Sequence, residues 1–112
     1  MPQNANSNEI LFRLEATLRE RKTAAPGSSY VASLYAKGLD AVLKKVGEEA
    51  TEAILAAKSD DKIHLTKEAA DLIFHTLVML AAKDVALADV LAELESREGT
   101  SGLDEKKARP PA

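Results

Sequence analysis

Apolar side chains recur along this chain at intervals of three and four residues, the repeat that lines one face of an α-helix. After a polar arm, Asn6 can cap a helix with Glu9 three positions on, and Ile10, Leu11, Leu14 and Leu18 follow, which predicts a first helix over residues 7–22. Pro26-Gly27 marks a loop over 23–29, after which Tyr30, Val31, Leu34 and Tyr35 suit a short helix closed by Gly38. Leu39, Val42, Leu43, Val46, Ala50, Ala53, Ile54 and Ala57 then form an unbroken stripe, the clearest amphipathic helix of the chain. Ser59-Asp60-Asp61 reads as a stop followed by a new cap, and helical spacing resumes to about Ala82, apolar almost all round from Leu72 onward. Such a helix must be buried on most sides. Lys83-Asp84 turns the chain, Leu87, Val90, Leu91 and Leu94 mark a last helix ending near Arg97, and polar residues follow from Glu98. The expectation is an all-α fold, a bundle of four to five helices in one domain over 1–97, with 98–112 as a polar C-terminal tail.

Composition narrows the class. A chain of 112 residues supports one domain with one modest core. Zero cysteines exclude a disulfide scaffold, a thiol nucleophile and a thiolate zinc site, and fit a reducing compartment, so a cytoplasmic protein is expected. A net charge of -3 without a basic run offers little to a nucleic-acid backbone. Met1 to Asn8 lack the cationic and apolar regions of a signal peptide, and the longest nearly apolar stretch, Leu72 to Ala82, falls far short of the roughly 20 residues of a membrane span. Neither a nucleic-acid nor a membrane partner is expected. The helix that is apolar all round, set against few aromatic residues, leaves surface that one chain cannot cover, which predicts a homodimer completing the bundle.

Charge is placed unevenly. Between Glu48 and Asp71 stand seven acids and three lysines, a local -4 that exceeds the net charge of the whole chain. With 100° per residue, Glu49 and Glu52 lie within about 60° of each other beside the apolar stripe, while Glu48 points roughly opposite it. On the second long helix His64, Glu68, Asp71 and His75 fall at i, i+4, i+7 and i+11, one polar line running into the most apolar stretch. A lone Glu-x-x-Glu is ordinarily a solvated helix face. Two such pairs, Glu49/Glu52 and Glu68/Asp71, on helices that pack antiparallel can surround one cavity with oxygen donors, the ligands that hard divalent ions such as Mg²⁺ want. A di-iron bundle would need Glu-x-x-His pairs, whereas Asp71 and His75 are spaced by four.

The segments Lys-Val-Gly-Glu-Glu-Ala-Thr-Glu (45–52) and Glu-Ala-Ala-Asp-Leu-Ile-Phe-His (68–75) resemble the all-α nucleoside triphosphate pyrophosphohydrolase superfamily. Within it, Ser29-Tyr30, Gly38 before Lys44-Lys45-Val46-Gly47, and Arg97-x-Gly-x-Ser-Gly-x-x-Glu-Lys are similar to the phosphoribosyl-ATP pyrophosphohydrolase family, from about Leu11 to Arg109. Asp84 departs from the pattern by occupying a hairpin where glycine is common. The lack of cysteine argues against the cyclohydrolase, with its cysteine-bound zinc, to which this activity is sometimes fused.

The resemblance implies Mg²⁺-dependent hydrolysis of phosphoribosyl-ATP, a small-molecule substrate, to phosphoribosyl-AMP and pyrophosphate, the second step of histidine biosynthesis. It implies Glu49, Glu52, Glu68 and Asp71 as metal ligands, and Glu48 and Glu49 as candidate catalytic acids, with Glu48 open between a ligand, a base for water and a surface acid. Lys44 and Lys45 then hold phosphate, or are ordinary solvated lysines. Arg97, Ser101, Lys106 and Arg109 clasp the ribose phosphate, or belong to a plain polar tail. Gly47 inside a helix costs roughly 1 kcal/mol against alanine, which close helix or substrate approach would explain. His75 is either a satisfied core residue or a contact to a carboxylate; His64 reads as surface, and Tyr30 and Tyr35 as packing residues. Two other readings compete: a housecleaning nucleoside triphosphate pyrophosphatase with the same ligands, and a non-catalytic helical interaction protein whose acids face solvent.

Overall fold

The computed structural model describes residues 9–99, which form five α-helices, α1 (Ile10–Arg21), α2 (Tyr30–Lys37), α3 (Leu39–Lys58), α4 (Lys62–Ala82) and α5 (Leu87–Ser96), with one 3₁₀ turn at Pro26–Ser28. No strand occurs among the described residues. The first helix is described from Ile10, with Glu9 at its N-cap, so the capping role of Asn6 lies outside the described residues.

Local chemistry sets the breaks. Ser29 opens α2 by accepting from the Ala32 backbone N–H at 3.0 Å, and Asp61 opens α4 by accepting from His64 N–H at 3.0 Å. Gly38 joins α2 to α3 at φ 105°, a backbone that a side chain would strain. Asp60 and Asp84 occupy the left-handed region at φ 63° and 57°, which aspartate tolerates better than most residues. The Asp84 turn, where a glycine would be unstrained, is held by Lys22: its ammonium donates to Asp84 Oδ1 at 2.8 Å and to the Ala81 carbonyl at 2.9 Å. The hydrogen bond and charge of Lys22 lower the Asp84 pKa. Two turns earlier on α1, Glu15 accepts from the Leu87 N–H at 2.8 Å and so caps α5 from a distance of 72 positions.

α3 and α4 form a long antiparallel hairpin; α1 packs on α4 and α2, α2 on α3, and α5 on α1. The core is built from Leu18, Val31, Leu34, Val42, Leu77, Val78, Ala81 and Leu87, so it lies at the Gly38 and Ala82 end of the hairpin. Toward the Ser59–Asp61 loop the hairpin is a bare pair of helices. Between positions 43 and 74, Ala56 alone is fully buried among the described residues. The burial expected for α4 from Leu72 onward is therefore met only in part: Leu77, Val78 and Ala81 are buried, but Ile73 is 51% exposed. Nearer the start of the helix Ile63 is 73% exposed. Leu43, Ile54 and Leu55 on α3 are also exposed, because the described residues offer no third element to cover this half.

Candidate active site: a carboxylate triad between two helices

The acids of α3 and α4 meet across the hairpin. Glu49, Glu68 and Asp71 each bring one carboxylate oxygen to within 4.8 Å of the others. Glu49 and Glu68 are half-buried and Asp71 is exposed, so the triad opens to solvent on the Asp71 side. Three like charges this close repel, and the chain answers with its own donors. Lys45 places its ammonium 3.4 Å from Glu49 Oε1 and 3.9 Å from Glu48 Oε1. His64, read from sequence as a surface residue, brings Nε2 to 3.3 Å from Glu68 Oε1.

Burial would pull the Lys45 pKa down, but Tyr30, the hydrogen bond to Glu49 and the charges of Glu49 and Glu48 outweigh it and raise the value. Lys45 is thus held as an ammonium. Of the other expected site residues, Glu52 is exposed and stands outside the triad, and Glu48 is an exposed acid that pairs with Lys45. Lys44 is exposed on the same turn. Arg97 caps the end of α5 and pairs with Glu93 through Nε at 3.1 Å and Nη2 at 3.0 Å. Ser101, Lys106 and Arg109 lie outside the described residues. A Cβ added at Gly47 would meet no atom within 4 Å among the described residues, so none of the described helices approaches it closely.

Tyr30 was missed as a site residue. Its hydroxyl lies 2.8 Å from His75 Nε2, and His75 Nδ1 lies 2.9 Å from the Asp71 carbonyl oxygen. A carbonyl only accepts, so Nδ1 carries the proton and donates; in the neutral ring Nε2 then accepts, and Tyr30 must donate to it. His75, 5% exposed, is accordingly a satisfied core residue that touches the backbone of Asp71 and not a carboxylate. The Tyr30 phenol is raised by burial, lowered by Lys45, and raised again by Glu49, Glu48 and Asp71, which places it within the field of the acids. No spacing rule finds this contact, because the two residues are 45 positions apart on different helices. The i, i+4 step from His64 to Glu68 was visible, but not its consequence.

An all-oxygen donor set of this kind suits a hard divalent cation and offers no soft ligand. The chain matches the family model described as phosphoribosyl-ATP pyrophosphohydrolase over residues 11–98. It is similar to proteins named phosphoribosyl-ATP pyrophosphatase from Azoarcus sp. (strain BH72), 57% identical over 101 residues that cover 90% of this chain and 94% of the relative. Those from Aromatoleum aromaticum and Novosphingobium aromaticivorans are 58% and 59% identical, again covering 90% of this chain and 94% of each relative. The matched span contains every helix from Leu11 onward together with all three acids of the triad, and on that evidence the chain belongs to the phosphoribosyl-ATP pyrophosphohydrolase family.

Proposed function

We propose that the protein hydrolyses phosphoribosyl-ATP to phosphoribosyl-AMP and pyrophosphate, the second step of histidine biosynthesis, with Mg²⁺ bound at the acids of α3 and α4. The observation that carries this reading is the triad of Glu49, Glu68 and Asp71 in a chain that matches this family along residues 11–98. The three oxygens fit the cation by donor chemistry and proximity. Glu52, exposed one turn beyond Glu49 and outside the triad, turns in as the fourth carboxylate once the cation is bound. When bound, the cation neutralises the triphosphate and so lets a polyanion approach clustered carboxylates. The chain's own part is to hold those carboxylates in register, with Tyr30 and His75 tying α2 to the Asp71 turn. A carboxylate of the Glu48–Glu49 pair takes the proton of the attacking water. Lys44 and Lys45 engage phosphate oxygens, while Arg97, Ser101, Lys106 and Arg109 bind the phosphate of the extra ribose.

We further place the protein in the cytoplasm as a homodimer. No helix of the described residues is long and apolar enough to cross a membrane, and the exposed Leu43, Ile54, Leu55, Ile63 and Ile73 supply apolar surface for a second copy. Residues 1–97 form the catalytic domain and 98–112 a substrate-binding tail. The test is pyrophosphate release from phosphoribosyl-ATP and from plain ATP, each with Mg²⁺ and with a chelator. Release that needs Mg²⁺ and strongly favours phosphoribosyl-ATP is expected. No release would overturn the enzymatic reading, and equal rates on both nucleotides would favour a housecleaning pyrophosphatase.

A further inference from the structure

Glu49 is the most enclosed acid of the α3 ion pairs. Its side chain is 12% exposed, against 51% for Glu48 and 34% for their shared partner Lys45. A carboxylate withdrawn this far from water needs a countercharge, and the ammonium 3.4 Å away supplies it from one turn earlier on the same helix. The same Glu49 carboxylate brings an oxygen to within 4.8 Å of oxygens of Glu68 and Asp71. One carboxylate therefore faces two claimants, an internal monovalent cation and whatever cation the triad collects. They cannot both sit against it without mutual repulsion. Lysine is suited to yield: it is a compact charge on a flexible four-carbon stem, and here that stem is partly in solvent with the exposed Glu48 beside it.

We propose that Lys45 is the resident counter-cation of the triad, which a divalent cation displaces from Glu49 and which, once displaced, binds a phosphate oxygen of the substrate. Cation entry and phosphate capture are thereby coupled: the ion gives up some affinity to evict the lysine, and the freed ammonium returns it as substrate binding. This rests on the metal-dependent hydrolysis proposed above and adds a sign that metal ligation alone does not imply. Deleting a positively charged residue from the site strengthens cation binding while it weakens the substrate.

The experiment titrates Mn²⁺, a paramagnetic probe for Mg²⁺ sites, into the full-length protein and measures free ion by electron paramagnetic resonance, alongside steady-state hydrolysis of phosphoribosyl-ATP at saturating cation. K45M should bind Mn²⁺ at least tenfold more tightly than the unaltered chain and raise KM for phosphoribosyl-ATP at least tenfold. K45Q, which keeps a good helix former at the position, should do the same and serves if K45M does not fold. K44M removes the same charge from the neighbouring exposed position and should change Mn²⁺ affinity less than threefold, because the ion pair to Glu49 is made by Lys45. Unchanged or weaker Mn²⁺ binding in both Lys45 variants overturns the proposal, as does equal tightening in K44M, which would make the effect one of net charge. Tighter Mn²⁺ with an unaltered KM overturns the transfer to phosphate. Failure of the underlying functional reading is separate: the unaltered chain would release no pyrophosphate at all.

Discussion

The two tyrosines of α2 should respond to the same chemical change with opposite signs. Tyr30, the first residue of the helix, donates to His75 Nε2 at 2.8 Å. Tyr35, five positions on, holds its hydroxyl oxygen out of solvent with no hydrogen-bond partner among the described residues. Y30F leaves Nε2 of a side chain only 5% exposed without a donor. The ring cannot answer by moving its proton, since that would turn the Nδ1 lone pair onto the Asp71 carbonyl 2.9 Å away. A buried acceptor left unpaired costs about 1–3 kcal/mol. Because the Tyr30 side chain is itself half in solvent, water reaches part of the gap, and the lower part of that range applies, about 1–2 kcal/mol. For a domain of this size that is a fall in Tm of roughly 5–15 °C. Y35F removes a hydroxyl that was desolvated for no bond, so it should leave stability unchanged or raise it by up to about 1 kcal/mol. Urea denaturation followed by far-ultraviolet circular dichroism, at one fixed protein concentration because an oligomer's stability depends on it, measures both. A Y30F protein as stable as the parent, or a Y35F protein that loses as much as Y30F, would refute the hydrogen-bond assignment.

Neutralising an acid of the site, Asp71→Asn or Glu52→Gln, should abolish pyrophosphate release while leaving helix content intact; in metal-free buffer stability should if anything rise, since repulsion among clustered carboxylates is relieved. Near-normal turnover in either variant would remove that residue from the ligand set. Light scattering at micromolar concentration should give twice the mass of one chain, with Ile73→Asp shifting the mass toward the monomer; a monomeric parent would contradict the dimer. Deleting residues 99–112 removes no acid of the triad and should preserve helix content and cation binding, but slow phosphoribosyl-ATP hydrolysis at least tenfold, about 1.4 kcal/mol, with little change on plain ATP. Equal losses on both nucleotides would assign the tail to folding or closure.

The helices and their ends were legible in the residues because both are local. A 3.6-residue stripe needs no partner to be read, and it places α3 and α4 within a residue or two of their observed bounds. Ser29, Gly38 and Asp61 punctuate the chain through their own φ or their own side-chain oxygen, so they act where they stand. The pairing of acids along each helix was legible for the same reason. What lies between helices was not. Helical phase placed Glu49 and Glu52 side by side, yet only the packing of α3 on α4 determines that Glu49 meets Glu68 and Asp71 while Glu52 stays outside. The same holds for Tyr30 on His75, for Lys45 leaning on Glu49 and not on open water, and for Glu15 capping a helix 72 positions away. Periodicity specifies the angle of a side chain about its own axis. The distance from that side chain to another helix depends on how two surfaces interdigitate and on which rotamers survive the contact, and those are properties of the assembled bundle.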